Sequence, residues 1–311
     1  MLVRPLHALC ALLACLVVLS AFPTMARAPD QVIHFTDRHG EVIEGGVWLP
    51  GSGPDASSRG LVVISHGNGG WYAGHDDTAR ALADAGFIVA ALTHPGDNFR
   101  DHSRGLQLTG RAPQLSALID YMVGDWRGPV VVDPDRIGAF GFSAGGFTVT
   151  SIVGGVSDAR AIQAHCLAHP DLFACRLLAM EPLDLTHWRP ETRDARVKAA
   201  VIAAPAFGES FTTASLAAIT VPIQLWQAAD DQILPAPYNV EPIRDRLSRA
   251  PDYRRVEGAG HYDFLPACGP QMQAEVPELC VSAPGFDRAA FKAEFNRQVV
   301  AFFRTALSAT P

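Results

Sequence analysis

The sequence predicts an α/β protein built on one mostly parallel sheet with helices on both faces. Three observations carry this prediction. From Leu61 onward, short apolar runs alternate with segments of helical pattern. The runs are continuously apolar, as expected of strands buried on both sides. Residues 137–146 pass from an apolar run through Gly141-Phe142-Ser143-Ala144-Gly145 into small residues. That is the sequence form of a sharp strand-to-helix turn with an exposed serine at its tip. The turn forces the serine into a strained backbone geometry, so the positions two away must be nearly free of side chain.

The first segment is set apart from the domain. Arg4 precedes an apolar run over 8–22, followed by Pro23 and the small-residue exit Ala26-Arg27-Ala28. This reads as a secretory signal covering 1–28, cleaved near Ala26 or Ala28. The alternative is a retained anchor, but the run is short for a span and a helix breaker follows it. Leu12-Leu13-Ala14-Cys15 loosely resembles a lipoprotein box, placed too early in the run. Export to the periplasm or the medium is therefore expected, with no stable membrane insertion once the signal is removed.

The remainder, 29–311, reads as one domain. Val32, Phe35, Val42, Ile43, Val47 and Trp48 mark a hairpin turning at Arg38-His39-Gly40. A turn-rich loop over 51–60 leads to a buried strand, 61–65, ending in His66-Gly67-Asn68-Gly69-Gly70. A helix over 78–85 stops at Gly86, and a second buried strand over 87–92 ends at Thr93-His94-Pro95-Gly96. Leu115, Leu118, Ile119 and Met122 line one face of a helix over 113–126, with Pro113 in its first turn. Residues 130–132 form a short extension before Asp133-Pro134-Asp135, and the strand 137–140 then enters the serine turn and a helix over 144–153. Residues 157–196 break the rhythm and read as a short, mostly helical cap inserted over the sheet. Strands follow at 197–203, 221–227 and 253–257, with a helix at 240–247 between the last two. Asp287 can cap a closing helix in which Phe291, Phe295, Val299, Phe302 and Ala306 share a face.

Charge and cysteine content narrow the function classes. The net charge of −7 becomes −9 once Arg4 and Arg27 leave with the signal, and Lys and Arg show no dense cluster. That argues against nucleic acid and anionic membrane surfaces as partners. Four cysteines lie beyond the signal, as two local pairs, and an even count in an exported chain favours disulfides. Of the possible connectivities we expect Cys166–Cys175 and Cys268–Cys280. A zinc site is the alternative, since His165 and His169 flank Cys166, but no close Cys-x-x-Cys spacing is present.

A serine hydroxyl needs a base to take its proton, and the base needs a partner to fix its tautomer. After the strand at 221–227 comes Ala229-Asp230-Asp231-Gln232, and after the strand at 253–257 comes Gly258-Ala259-Gly260-His261. Both stand at strand ends, in the order serine, acid, histidine. Here the chain resembles an α/β-hydrolase over most of its length, and is most similar to the serine-dependent dienelactone-hydrolase-like and platelet-activating-factor-acetylhydrolase-like group. The residues that carry this are His66-Gly67-Asn68-Gly69, His94-Pro95-Gly96, the turn at 141–146, Asp231-Gln232-Ile233-Leu234-Pro235 and Gly258-Ala259-Gly260-His261. In that group the acid usually stands four residues before a proline, which favours Asp231 over its neighbour Asp230. True dienelactone hydrolases carry cysteine at the turn, so Ser143 points instead to ordinary carboxylic esters.

The resemblance implies the nucleophile Ser143, base His261 and acid Asp231, with an oxyanion hole from the backbone amides of Asn68 and Ala144. It implies an acyl-enzyme mechanism on a small-molecule or lipid-like ester, with no cofactor and no metal. His66 reads as an organiser of the oxyanion loop, and His94 as a pocket or structural residue. A dinucleotide cradle at 66–70 is disfavoured, since the third glycine of Gly-x-Gly-x-x-Gly is missing from its place. Other readings keep the same machinery for acyl transfer or peptide cleavage, or make the chain a catalytically silent binding protein. Trp71, Phe207 and Tyr262 are either packing or recognition residues.

Overall fold

The computed structural model describes residues 28–51, 58–190 and 192–308. The expected signal segment, apart from Ala28, and most of the turn-rich loop lie outside the described residues.

Eight strands form one sheet in the order β1-β2-β4-β3-β5-β6-β7-β8. The strands are β1 Gln31–Thr36, β2 Val42–Trp48, β3 Ser58–Ser65, β4 Ile88–Leu92, β5 Val131–Phe142, β6 Val197–Ala203, β7 Ile223–Ala228 and β8 Asp252–Val256. β1 and β2 pair with each other, and β2 with β4, in antiparallel fashion; every other pairing is parallel. The expected hairpin and the parallel sheet behind it are both present.

The helices are α1 Asp76–Asp84, α2 Arg111–Gly124, α3 Ala144–Ile152, α4 Ala159–Ala168, α5 Phe173–Met180, α6 Thr213–Ala217, α7 Val240–Arg246, α8 Pro270–Glu275 and α9 Arg288–Ala306. They divide between the two faces. Leu61 and Val63 of β3 point into a core with Leu115, Leu118 and Ile119 of α2 and Phe147 of α3. Val62 and Ile64 point the other way, to Leu82 of α1 and Phe295, Val299 and Phe303 of α9. Successive strand residues face opposite sides, so a strand with a core on each side must be apolar throughout.

Several element bounds differ from the sequence reading by two or three residues, α1, β3 and β7 among them, and three further differences bear on the argument. The run at 130–132 and the strand at 137–140 belong to one strand, β5. Its pairing with β3 shifts register between Arg59 and Leu61, opposite Val132 and Ile137, and this irregularity absorbs Asp133-Pro134-Asp135 without ending the strand. Helix α2 begins at Arg111, two residues before the expected start. In α9, Asp287 does cap the helix through Ala290 N at 2.9 Å, but the buried face is Arg288, Lys292, Phe295, Val299 and Phe303. Phe291, Phe302 and Ala306 flank it, half-buried. Two cations stand in the buried stripe because each finds oxygen partners there. Arg288 bonds Asp263 Oδ1 at 2.9 Å, Leu279 O at 2.7 Å and Val281 O at 3.0 Å. Lys292 bonds Phe264 O at 2.9 Å.

Between α3 and β6 the chain forms α4 and α5, joined by a Cys166–Cys175 disulfide. A second disulfide, Cys268–Cys280, brackets α8. Among the described residues, no helix is long and apolar enough to cross a membrane.

Candidate active site

Ser143 lies between the last residue of β5 and the first of α3, at φ 57° and ψ −120°. A non-glycine residue there is strained by about 1–3 kcal/mol and needs its surroundings to hold it. The end of β6 and the turn after it do so: Ser143 N donates to Ala203 O at 3.0 Å, and Ser143 O accepts from Ala206 N at 3.0 Å. The flanking glycines are required by space. A Cβ on Gly141 would stand 2.0 Å from Gly145 O, and one on Gly145 would stand 2.0 Å from Ser65 O. No side chain survives either contact.

The turn after β8 brings His261 to the serine. Gly260 N donates to Asp263 Oδ2 at 2.7 Å, closing a single turn that presents the imidazole. His261 Nε2 lies 3.0 Å from Ser143 Oγ, and Nδ1 lies 2.7 Å from Asp231 Oδ2. The Nδ1 proton belongs to the bond with the carboxylate, so Nε2 is left as the acceptor facing the hydroxyl. The ring lies against Phe142, with centroids 4.8 Å apart, and both His261 and Asp231 are buried.

The loop after β7 settles which of two adjacent acids faces the histidine. Asp231 Oδ1 accepts from Ile233 N at 2.9 Å and Leu234 N at 2.7 Å, leaving Oδ2 for His261. Burial pushes the Asp231 carboxyl upward, but His261 and these two amides outweigh it and hold it below the usual carboxylate range. Asp230 is exposed, its amide tied to Ala259 O at 2.9 Å.

The loop after β3 closes over the same spot, where a Cβ on Gly67 would be 3.3 Å from Ser143 Cβ. The amides of Asn68 and Ala144 have no acceptor among the described residues. For Ala144 this follows from its place in the first turn of a helix.

His66 organises the loop as expected. Its Nδ1 bonds Gly67 O at 2.6 Å, and its Nε2 accepts from His94 N at 3.0 Å. His94 is a structural residue, bonding Ser65 Oγ at 2.9 Å and Gln114 Oε1 at 2.7 Å. His165 and His169 pack at a tilt against Tyr238, with centroids 4.8 and 4.6 Å away, and the Cys166 sulfur is spent on Cys175. His187 is exposed and bonds Asp184. Among the described residues, no group of three or more His, Cys, Asp or Glu is placed to hold a metal ion. Trp71 is 38% exposed and contacts Tyr72 and Phe99. Phe207 is buried, and Tyr262 lies edge-on to His261.

Six polar residues that support the site escaped the sequence reading: Asp97, Arg111, Thr148, Asp263, Arg288 and Lys292. No local pattern announces them, because their partners meet only on folding.

Comparisons with known proteins agree with this architecture. No protein-family model and no curated protein matches the chain. Solved structures do. A ferulic acid esterase from Streptomyces cinnamoneus is 19% identical, with a TM-score of 0.58, over 92% of this chain and 94% of that one. An esterase from Pyrococcus furiosus is 13% identical, with a TM-score of 0.54, over 89% and 93%. A puromycin-hydrolysing peptidase from Mycobacterium tuberculosis is 16% identical, with a TM-score of 0.60; the match covers 94% of this chain but 42% of the peptidase. The architecture is the α/β-hydrolase fold.

Proposed function

We propose that the chain is an exported serine hydrolase that cleaves carboxylic esters through an acyl-enzyme, in the manner of the dienelactone-hydrolase-like and acetylhydrolase-like enzymes its motifs resemble. The observation that carries this reading is the unbroken line of hydrogen bonds from Asp231 through His261 to Ser143. It stands at the carboxyl ends of parallel strands, where α/β folds gather their chemistry.

The mechanism follows from the bonds. His261 Nε2 takes the proton of Ser143 Oγ as the oxygen attacks the ester carbonyl. Asp231 stabilises the imidazolium and keeps its proton at Nδ1. The amides of Asn68 and Ala144 receive the oxyanion, each such donor contributing about 2.7–4 kcal/mol. His261 then protonates the leaving alcohol, and a water activated by the same nitrogen releases the acid. None of these steps calls on a metal or an organic cofactor.

Export draws support from the two disulfides, which suit an oxidising compartment, and from the signal pattern at 1–28. One observation favours a second reading, peptide or amide cleavage: a peptidase is among the structures of similar fold. The same steps serve both bonds, with an amine leaving instead of an alcohol.

Ser143→Ala tests the reading directly. Turnover of p-nitrophenyl acetate by the purified protein should fall by at least about 10³-fold, and labelling by a fluorophosphonate probe should vanish. Full turnover in that variant would sink the proposal. Parallel assays with aminoacyl p-nitroanilides distinguish the peptidase reading.

A further inference from the structure

The space behind the oxyanion loop holds an ion pair with both partners almost fully enclosed. Arg111 Nη1 donates to Asp97 Oδ2, and each side chain is 3% exposed. Such a pair is weak evidence for stability, because desolvating two charges costs about as much as their attraction returns. Its contacts point to another purpose.

Each end reaches one half of the proposed oxyanion hole. On one side, Asp97 Oδ1 accepts from Gly69 N at 2.8 Å and from Asn68 Nδ2 at 2.9 Å, while Arg111 Nη2 donates to His66 O. The peptide that carries the Asn68 amide is thus bracketed before and after. On the other side, Arg111 Nε donates to Thr148 Oγ1 at 3.1 Å, and Thr148 Oγ1 donates to Ala144 O at 2.9 Å. Ala144 carries the second amide. A continuous chain of bonds therefore runs Asn68, Asp97, Arg111, Thr148, Ala144.

We propose that Arg111 and Asp97 are a positioning pair that fixes the spacing of the two oxyanion donors, with Thr148 as the link to the nucleophile's helix. Neither charge touches substrate. Two amides on separate loops must both meet one oxygen atom, and an error of about 1 Å costs on the order of 10²-fold in rate. A guanidinium bonded through all three nitrogens and locked to a carboxylate supplies a rigid spacer where apolar packing alone would leave the loop free to drift.

This inference rests on the serine-hydrolase reading, so its test separates the two. Thr148→Val removes the linking hydroxyl at nearly constant volume, and Thr148→Ser retains it. The readouts are kcat and KM for p-nitrophenyl acetate, and Ki for an aryl trifluoromethyl ketone, which places an oxyanion in the hole. In Thr148→Val, kcat should fall about 10- to 100-fold with KM changed by less than about twofold, and Ki should rise by the same factor as kcat falls. Thr148→Ser should recover most of both. Should Thr148→Val fail to fold, Asn68→Ala weakens the other arm while keeping the backbone amide: it removes the side-chain bonds to Asp97 and Gly105 O, leaves Gly69 N and His66 O bonded, and should give a smaller loss of kcat paired with an equal rise in Ki. An unchanged Ki in the folded variants, or a kcat loss that serine does not rescue, overturns the positioning role. If Ser143→Ala abolishes turnover while Thr148→Val leaves kcat and Ki unchanged, the positioning role alone fails; if Ser143→Ala retains turnover, the catalytic reading fails with it.

Discussion

Asp230 and Asp231 are adjacent in the chain and opposite in environment. The first is exposed; the second is buried, receives two backbone amides and faces the histidine. Asp231→Asn should lower kcat by about 10³–10⁴-fold, because the amide cannot hold the required histidine tautomer. Asp230→Asn should change it by less than about threefold. Steady-state kinetics on the two variants decide this, and equal losses would remove the proposed role from Asp231. At this scale the sequence was readable wherever chemistry demands a local pattern. The Gly-x-Ser-x-Gly spacing was such a case, since Gly141 and Gly145 are enforced by backbone oxygens 2.0 Å from any Cβ. It was unreadable for Arg111, whose meaning lies in Asp97, Thr148 and His66, residues brought together only by folding.

Strands were easier to place than the polar details of helices, and for a physical reason. β3, β4 and β6 are buried on both faces, so their apolar runs have few competing explanations. β5 was split in the sequence because Asp133-Pro134-Asp135 carries the composition of a turn, while its pairing with β3 absorbs those residues as a register shift. The stripe on α9 was misplaced toward Phe302 because Arg288 and Lys292 read as surface residues. Both are buried, and both brace the turn that holds His261, through Asp263 Oδ1 and Phe264 O. Charge alone cannot announce such a role; the partners lie more than twenty residues away. The short helices α6 and α8 gave no periodic signal at all, each being under two turns long.

At the scale of the molecule, the described residues include three buried histidines whose protonation the fold resists. Burial is the main cause for His66, His75 and His94; nearby positive charge adds to it, from Arg111 for His66 and His94 and from Lys292 for His75. His75 is pushed down to about 3 from 6.5. The unfolded chain binds a proton below pH 6.5 that the folded chain refuses, so the contribution is complete above 6.5 and is lost as pH falls toward 3. Each histidine then costs up to about 1.4 kcal/mol per pH unit. Asp76 and Glu209, raised by burial to about 6 and about 7, work in the opposite sense and offset part of this loss. Comparing the Tm of wild type and His75→Leu between pH 7 and pH 5 isolates one residue. The variant should lose less Tm on acidification, and an identical decline would rule out a buried neutral His75.

β8 is the last strand of the sheet and has no strand on its outer side. It lies beside the loop that delivers the histidine, so a second chain pairing there would distort that loop as well as join two molecules. Its outward composition opposes such association. Arg254 and Arg255 are exposed, and Arg254 is paired with Asp252 at 2.7 Å, so another edge meets fixed charge where it seeks an apolar strip. The double variant Arg254→Val, Arg255→Val would make three consecutive valines ending at Val256. Light scattering during mild heating should rise well before wild type does, with activity falling in step. The two arginines thus act as guards against aggregation, protecting an edge that the topology leaves open.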